Sequence, residues 1–342
     1  MDKKSVVDPV ISVCIANYNG IDVIGPCVES VLCQKFSQQI EIIIHDDAST
    51  DDSVRYIKDH FPRVKLLVSK QNVGFCVSNN KMAAIAQGQY LLFLNNDTEL
   101  FPNALASLFD HANKSGRSEI LGLPQYDMET NKLIDIGSKF DLFLNPVPNT
   151  DPKIKKVGMV IGACLWIPKS LWNKIGGFPE WYSTLSEDLY VCLVAHIWGY
   201  SSNIVTDSGF KHWVGHSLGG GKVKKGKLAT TFKRRRLSER NKTYTMLLCY
   251  PLLLLIAVLP LHLLYLFVEG MLLVALKQDI NIWRNIYAPT FHDCWKLKSH
   301  LTQERKKAQQ YYSVKFKDFI SIFVWYPYKL KMVIKHGLPN IK

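Results

Sequence analysis

The sequence predicts an α/β fold, in which a mostly parallel sheet carries helices on both faces, followed by a basic helical region that associates with a membrane. Short apolar segments alternate with segments of helical periodicity through roughly the first hundred residues, which is typical of a parallel sheet. Residues 1–210 hold 18 Lys and Arg against 23 Asp and Glu, whereas residues 211–342 hold 24 against 6. The basic part contains residues 246–276, a stretch of 31 residues interrupted only by two Pro, one His, one Glu and one Gly. A bilayer is the natural solvent for such a stretch.

The first strand is predicted at residues 9–17, because PVISVCIAN is apolar and ends in polar residues, as a buried parallel strand does. Residues 21–34 then place their apolar side chains at the spacing of one helix face. The remaining elements alternate in the same way: a strand at 41–45, a helix near 52–60, a strand at 64–69, a helix near 75–87 and a strand at 90–94. The whole run predicts a sheet whose ligand site lies at the carboxyl ends of its strands.

Polar residues follow three of these strands, at 17–19, 46–47 and 95–97. An ordinary turn rich in Asn and Asp explains any one of them, but three in succession indicate a binding site. No G-x-G-x-x-G follows the first strand and no P-loop motif occurs, which argues against a dinucleotide-binding or P-loop protein.

Composition disfavours several other classes of protein. The eight Cys include no C-x-x-C pair, so we expect reduced thiols and no structural zinc. We expect no nucleic-acid binding, because the basic residues flank an apolar segment. The first residues lack the pattern of a secretory signal peptide, so we expect the N-terminal part to stay in the cytosol.

Seven segments carry a resemblance to a known family. They are VISVCIANYNG, IEIIIHDDASTDDS, QNVGFCVSNNK, GQYLLFLNNDTEL, GACLWIPKSLWNKIGGFPE, SEDLYVCLVAHIWGY and KHWVGHS, which together span residues 9 to about 220. In order and spacing they resemble glycosyltransferases of family 2, which have the GT-A fold, and within that family the bacterial rhamnosyltransferase-like subgroup that builds surface polysaccharide.

The resemblance implies a nucleotide-diphosphate sugar as donor and Mg²⁺ or Mn²⁺ as cofactor, since charge on the leaving diphosphate must be neutralised. The family's metal-binding D-x-D motif corresponds to residues 95–97, so Asp97 is the expected metal ligand, with His212 at the metal or the diphosphate. Asp97 is the motif's only carboxylate, so we expect diphosphate and water to complete the site. An Asx-turn at 95–97 and a structural His212 are the alternatives.

The resemblance also assigns residues to the nucleotide sugar. They are Asn17, Tyr18, Asn19, Asp47, Asn72, Gly74, Phe75, Asn79 and Asn96. Among these, Asp47 is expected to accept the ring N–H of a pyrimidine, whereas Asp46 has no such role. Gly74 fits an ordinary loop glycine equally well.

For the acceptor side, the family's E-D motif corresponds to Glu187 and Asp188. Inverting transfer needs a carboxylate to take the proton of the acceptor hydroxyl, and we assign this base to Asp188, with Glu187 in support. The acidic pair could instead favour a helix N-terminus. The acceptor pocket is expected to include Gly162, Trp166 and Trp181, although buried aromatic residues are common.

One departure from the family's pattern concerns the residues after the acidic pair. The usual second Asp and the Arg of the motif are replaced by Tyr190 and Val194, so their contacts cannot be carried over.

The apolar stretch 246–276 lies between two basic flanks, and a single crossing would place one of them outside the cell, against the usual tendency. We therefore expect a re-entrant or in-plane helical pair, bent near Pro260 or at 269–270. Residues 315–331 indicate a second element at an anionic membrane surface, or an amphipathic helix packed on the catalytic domain. The expected domains are 1–240, catalytic, and 241–342, membrane-embedded or interfacial.

These expectations combine into one function and two alternatives. The sequence predicts an inverting glycosyltransferase that moves a sugar, rhamnose among the candidates, onto a polyprenyl-diphosphate-linked glycan at the cytoplasmic face of a bacterial inner membrane. The alternatives are a polyprenyl-phosphate sugar synthase and a non-catalytic membrane scaffold with a degenerate transferase fold.

Overall fold

The structure, a computed structural model, describes residues 8–215, 220–224 and 227–342. The chain divides into two compact units. The sheet unit comprises the chain up to Gly137 together with Asn149–Ser183 and Tyr200–Trp213. The C-terminal unit comprises Ser138–Pro148, Thr184–Gly199 and Val214–Lys342.

The strands and helices are as follows. In chain order the strands are β1 Ile11–Asn17, β2 Ile40–Asp46, β3 Lys65–Val68, β4 Tyr90–Asn95, β5 Thr98–Leu100, β6 Glu119–Gly122, β7 Gln125–Asp127, β8 Leu133–Asp135, β9 Ser138–Asp141, β10 Pro146–Pro148, β11 Lys156–Val157, β12 Cys164–Pro168, β13 Ser201–Ile204, β14 Phe210–His212, β15 Gly220–Lys224, β16 Lys227–Thr230, β17 Phe323–Val324 and β18 Asn340–Ile341. The α-helices are α1 Ile24–Leu32, α2 Ser53–His60, α3 Phe75–Ile85, α4 Ala104–Ser115, α5 Lys169–Ile175, α6 Glu187–Ile197, α7 Phe232–Cys249, α8 Leu252–Lys277, α9 Ala288–Lys296, α10 Lys298–Gln309, α11 Phe316–Ile320 and α12 Tyr328–His336. A 3₁₀ turn at Glu180–Tyr182 and a π-helical turn at Trp283–Tyr287 complete the set.

The sheet unit is built on an eight-stranded sheet in the order β11-β13-β6-β12-β4-β1-β2-β3. β1 pairs in parallel with both β2 and β4, whereas β12 runs antiparallel between β4 and β6. The elements predicted up to β4 are present within a few residues of their expected bounds, and the predicted α/β fold with a mostly parallel sheet is confirmed.

The core of this unit forms because β1 and β2 alternate their apolar side chains between the two faces of the sheet. Ile11, Val13 and Ile15 of β1 join one cluster with the apolar faces of α1, α2 and α4. α3 packs on β1 and β2 but adds no residue to that cluster of described residues, so it covers the opposite face. Helices on both faces leave the carboxyl ends of the strands as the open edge.

A second sheet in this unit has the order β5-β14-β7-β8. β14 pairs with β5 so that His212 lies opposite Thr98, the residue after Asp97. This pairing brings the segment after β4 next to a strand more than a hundred residues further along the chain.

The C-terminal unit contains α6 to α12 and two small sheets, β10-β9-β17 and β15-β16-β18. Residues 315–331 do not form one helix, because they divide among α11, β17 and the start of α12. The boundary expected at residue 240 falls inside α7, and the division into a catalytic and a membrane domain stays a prediction.

The apolar stretch 246–276 differs from its expected form. A helical pair bent near Pro260 or at 269–270 is wrong: α8 runs through both positions, and the break lies at Tyr250–Pro251 instead. The residue before a proline is driven out of the helical region, and Tyr250 is extended with ψ 139°. Within the described part of the chain, α8 alone is long and apolar enough to cross a membrane.

Candidate functional site

The ends of β1, β2 and β4 are tied together by side-chain hydrogen bonds. Asn17 Nδ2 donates to Asp46 Oδ2 at 2.9 Å, and Asn96 Nδ2 donates to Asn17 Oδ1 at 2.8 Å. Asn17 is buried, so these bonds satisfy an amide that the fold removes from water. The structure therefore brings together the three polar strand ends that the sequence singled out.

Asp46 organises the turn after β2. Its carboxylate accepts from the Ser49 N–H at 2.9 Å and from the Ser49 hydroxyl at 2.7 Å, in addition to Asn17. Asn19 has a positive φ of 47° and accepts from the Thr50 N–H at 2.7 Å, which holds the turn after β1 against the same segment. Asp46 is fully buried, and its carboxylate is used in hydrogen bonds within the fold.

Asp47 is held differently, by the loop that precedes α3. Its two carboxylate oxygens accept the backbone N–H groups of Val73 and Gly74, at 2.7 and 2.8 Å. Gly74 has a φ of +90°, a backbone conformation that residues with a side chain rarely adopt. A Cβ at this position would also lie 3.3 Å from Ser183 Oγ, so the fold itself favours glycine here. Each carboxylate oxygen keeps a second lone pair, so the fixed Asp47 can still accept an N–H from a ligand.

The other residues assigned to the nucleotide sugar differ in exposure. Tyr18 and Asn72 are exposed, and Phe75 is half-buried with its ring 6.0 Å from that of Phe178. Asn79 is buried, and its amide donates to the Phe75 carbonyl within α3. In this structure Asn79 thus supports the start of α3, and a contact with a ligand stays a prediction.

Asp97 and His212 lie side by side at the end of β4. His212 Nε2 is 3.3 Å from Asp97 Oδ1, but the geometry makes no hydrogen bond, and Oδ1 has no hydrogen-bond partner among the described residues. Both residues are buried. An unpartnered carboxylate oxygen in such a place is costly unless a ligand or cation satisfies it.

Gln125 is a residue of this site that the sequence did not indicate. Its amide nitrogen lies 2.8 Å from His212 Nδ1. The amide orientation and the imidazole tautomer are linked: an amide oxygen facing Nδ1 would accept its proton and leave the Nε2 lone pair available on the Asp97 side. With the amide oxygen at Nδ1, His212 can bind a cation through Nε2; with the amide nitrogen there, Nε2 keeps its proton and Asp97 alone can bind the cation.

The residues present fit a divalent cation that brings its own further ligands. Asp97 offers an unpartnered hard oxygen, and His212 adds a nitrogen when the Gln125 amide oxygen faces its Nδ1, so the chain supplies at most two donors. In the described part of the chain, no group of three or more His, Cys, Asp and Glu side chains is placed to hold a metal. Phosphate oxygens and water would have to complete the shell.

Glu187 and Asp188 form the first turn of α6 in the C-terminal unit. Glu187 is buried, and its Oε2 has no hydrogen-bond partner among the described residues. Burial, and then the charge of Asp188, raise the pKa of Glu187 to about 8, while the Arg234 guanidinium opposes this shift. Asp188 is half-buried and accepts the Leu189 N–H at 2.7 Å. At neutral pH the carboxyl of Glu187 is therefore protonated.

The segment that leads into this pair is strained. Leu185 and Ser186 both have positive φ values, 68° and 67°, which are unfavourable for residues with a side chain. Asn241 of α7, fully buried, donates its amide to the carbonyls of Thr184 and Leu185, at 3.0 and 2.7 Å. Asn241 holds the strained segment, and with it the start of α6, although it lies more than fifty residues away in the sequence.

The three residues expected to contact the acceptor differ in how deeply they are buried. Trp166 has no exposed surface: it lies in the core on β12 with its ring stacked on Tyr90 at 4.7 Å. The expectation that Trp166 contacts the acceptor is therefore wrong, because a strand in the middle of a covered sheet buries both of its faces. Gly162 is buried in the turn before β12, and Trp181 is half-buried with its ring against Tyr182.

Comparison with known proteins relates the first half of the chain to one family. The model of the family described as Glycosyl transferase family 2 matches residues 12–176. This match covers just under half of the chain, so that part is similar to a glycosyl transferase family 2 domain. The matched region contains Asn17, Asp47 and Asp97, whereas Asp188 and His212 follow it.

Relatives of this chain include an uncharacterized glycosyltransferase, YibD, of Escherichia coli K12. It is 36% identical over 105 residues, which is 30% of this chain and 30% of the relative. The chondroitin synthase of Escherichia coli is 35% identical over 109 residues, 31% of this chain and 16% of that protein. The matched part thus spans less than a third of the length of either relative.

Solved structures agree with the fold. The chain matches the crystal structure of GalNAc-T7 with UDP, GalNAc and Mn²⁺ with a TM-score of 0.51 and 20% identity, over 60% of this chain and 43% of that one. It matches S. aureus TarS with a TM-score of 0.50 and 15% identity, over 88% and 54% of the two chains. At these identities the likeness concerns the fold, which is GT-A-like, as expected from the sequence.

Because Asn241 supports the start of α6, we expect Asn241→Ala to loosen the segment that leads into this helix. The lost amide would release the carbonyls of Thr184 and Leu185. Hydrogen exchange of residues 184–189 should rise in this variant. Thr243→Val, a buried change on α7 that loses a contact with His262 of α8, is the control and should leave that exchange unchanged. Equal protection of the segment in both variants would contradict this role.

Proposed function

We propose that the protein is an inverting, metal-dependent glycosyltransferase that transfers a sugar from a nucleotide-diphosphate donor to a lipid-linked glycan. The observation that carries the proposal is the unpartnered carboxylate oxygen of Asp97 beside His212, at the end of β4 in a family 2 domain. Donor-binding and cation-binding residues at the carboxyl ends of parallel strands are what such a reaction requires.

In this proposal the strand ends bind the donor. Asp47, fixed by two backbone N–H groups, accepts the ring N–H of the base, and the exposed Tyr18 lies on the loop after β1 to cover the base. Asp97 and His212 hold Mg²⁺ or Mn²⁺. When bound, the cation neutralises charge on the diphosphate. The presence of UDP and Mn²⁺ in the GalNAc-T7 structure supports this choice of donor class and cofactor.

Asp188 acts as the general base. It takes the proton of the acceptor hydroxyl as that oxygen forms its bond to the anomeric carbon. The bond from the anomeric carbon to the diphosphate oxygen breaks, and the nucleoside diphosphate leaves with the electron pair. One displacement inverts the anomeric centre. Glu187, protonated at neutral pH, keeps the second negative charge away from Asp188.

We further propose that residues 1–240 are catalytic and that 241–342 attach the enzyme to the cytoplasmic face of a bacterial inner membrane. The apolar α8 and the surplus of Lys and Arg in this part support attachment to an anionic surface. A polyprenyl-diphosphate-linked acceptor fits this location, because its lipid stays in the bilayer. The resemblance to rhamnosyltransferase-like enzymes of surface polysaccharide synthesis makes nucleotide-linked rhamnose the first donor to test.

The test is a screen of the purified full chain against nucleotide sugars, with lipid-linked acceptors and with Mg²⁺, Mn²⁺ or a chelator. Transfer to a glycan hydroxyl with inversion supports the proposal. A single sugar joined to lipid phosphate through a phosphodiester would identify a polyprenyl-phosphate sugar synthase instead. No transfer or donor hydrolysis with any donor would favour a scaffold.

The role of Asp47 can be measured by binding alone. We expect Asp47→Asn to weaken the affinity for the nucleoside diphosphate by about 10- to 100-fold, because a charged hydrogen-bond acceptor is lost. Asp52→Asn removes the same charge from an exposed position in the same turn and serves as the matched control. Isothermal titration with UDP and with other nucleoside diphosphates measures both variants. Equal affinities for the two variants would remove Asp47 from the nucleotide site.

A further inference from the structure

We propose that α8 lies in the plane of the membrane, with one face inserted into a single leaflet and with the chain before and after it on the same side. This inference concerns an interaction surface of the C-terminal unit and does not depend on the proposed transferase activity. The partner is an anionic lipid surface.

The pairing of strands within the C-terminal unit excludes a single crossing. β17 follows α8 in the chain and pairs with β9, which precedes it, and β18 pairs with β16 in the same way. Arg305 of α10 donates to the carbonyls of Leu247 and Tyr250, at 2.6 and 2.8 Å, directly before α8. Segments that share hydrogen bonds cannot lie on opposite sides of a hydrocarbon layer about 30 Å thick.

A second crossing that returns the chain is also excluded. The chain from Gln278 to Arg305 carries charged residues along its whole length, and no helix in it is apolar enough to span a bilayer. α8 itself is one continuous helix of 26 residues, about 39 Å long, so it cannot turn back within the membrane. A long helix whose two flanks lie on one side must lie along the surface.

The inner face of α8 is packed against protein along most of its length. His262 Nε2 lies 2.9 Å from Thr243 Oγ1 of α7, and Glu269 forms ion pairs with Arg235 of α7 and Lys329 of α12, at 2.8 and 2.6 Å. At Gly270 a Cβ would lie 2.9 Å from the rings of Trp283 and Tyr287. Lipid therefore has no access to this face.

The outer face of α8 is exposed and wholly apolar. Only His262, Tyr265 and Glu269 carry polar side-chain atoms between residues 252 and 276, and all three contact the rest of the unit. Leu253 and Ile256 are 83% and 63% exposed. Further exposed residues follow at helical spacing: Leu264, Phe267, Met271 and Leu272. A continuous apolar face of this length does not stay in water.

The charge on either side of α8 indicates what binds its outer face. Residues 211–245 carry 11 Lys and Arg against one Glu, and residues 277–342 carry 13 against 4. Trp295 of α9 is 73% exposed with Lys298 over its ring, a combination suited to the interface between headgroups and hydrocarbon. An apolar face between two basic flanks matches an anionic leaflet, where hydrophobic insertion and electrostatic attraction add.

The first experiment is flotation of the purified full chain with vesicles of phosphatidylcholine, with and without phosphatidylglycerol. We expect binding that the anionic lipid strengthens and that Leu253→Gln/Leu264→Gln weakens by at least about tenfold. Leu32→Gln/Leu133→Gln changes two exposed leucines of the sheet unit and should leave binding unchanged. No flotation, with a dimer in solution that the α8 variant dissociates, would assign the face to a second copy and overturn the proposal.

The second experiment tests the side on which each flank lies. Cys33 is exposed and precedes α8, and Cys33→Ser/Lys335→Cys moves the exposed thiol to α12, beyond α8. A membrane-impermeant maleimide should label both proteins from the same side in membrane vesicles of defined orientation. Labelling of the two positions from opposite sides would establish a crossing helix and overturn the proposal.

Discussion

Asp188→Asn is expected to lower kcat by about 10²- to 10⁴-fold and to leave the KM for the donor nearly unchanged. Asparagine keeps the shape of the side chain at the start of α6 but cannot accept the proton of the acceptor hydroxyl. Steady-state kinetics with the donor and acceptor found in the screen measure the loss. A variant with full activity would exclude Asp188 as the base, and donor affinity measured alongside separates lost chemistry from lost binding.

Glu187→Gln is the matched control, since it makes the same chemical change one residue away. The pKa of Glu187 is raised to about 8, so its carboxyl is protonated at neutral pH and glutamine resembles the form already present. We expect this variant to keep kcat within a few-fold of the wild type at pH 7. Equal losses in the two variants would contradict the division of roles within the pair.

The stability of the wild type and that of Glu187→Gln should depend differently on pH. A raised pKa in the folded state contributes stability that is fully present below the unfolded pKa and is lost as pH rises through the folded value. For Glu187 this window runs from the ordinary value of 4.5 to about 8, because burial and the charge of Asp188 oppose ionisation and Arg234 offsets only part of this. As the pH rises from 5 to 8, the melting temperature of Glu187→Gln should therefore increase relative to that of the wild type, because only the wild type loses this contribution to stability.

The alternation of strands and helices up to β4 was predictable, because each element there carries its own periodicity and the ends of parallel strands meet at one edge. The contacts of Asn17 with Asp46 and Asn96 follow directly from that geometry. Local periodicity does not specify that β12 inserts antiparallel between β4 and β6. Trp166 was misassigned for this reason: its burial depends on pairing partners that are distant in the sequence.

The other features that the sequence did not predict also depend on contacts between residues distant in the chain. Gln125 and Asn241 act on residues 87 and 56 positions away, through single amides with no motif of their own. In the apolar stretch, the bend was expected near Pro260 or at 269–270, whereas the break lies at Tyr250–Pro251. Pro260 lies inside α8, where the missing hydrogen bond and the kink it favours are offset by packing of the inner face.

Asp97→Asn is expected to reduce kcat/KM by about 10²-fold or more and to abolish the response to Mg²⁺ or Mn²⁺, because an amide binds hard cations far more weakly than a carboxylate. A chelator should reduce the wild-type activity to a similar level. Asp110→Asn removes an exposed carboxylate from α4 and should leave both quantities unchanged. Activity measured against Mn²⁺ concentration compares the three proteins, and wild-type activity that survives the chelator would contradict a metal-dependent reaction.

Because the protein supplies few ligands to the proposed cation, the cation and the nucleotide should each strengthen the binding of the other. This coupling can be measured without enzyme turnover. Asp97 and His212 offer two donors, so the cation alone should bind weakly, and a nucleoside diphosphate that supplies further oxygens should tighten it. Linkage requires the reverse effect to be equal: Mn²⁺ must raise the affinity for the nucleotide by the same factor. Calorimetry should show this mutual dependence in the wild type and its loss in Asp97→Asn. In Asp47→Asn the nucleotide should bind more weakly, yet the factor by which Mn²⁺ raises its affinity should persist, because the proposal places Asp47 at the base and not at the diphosphate.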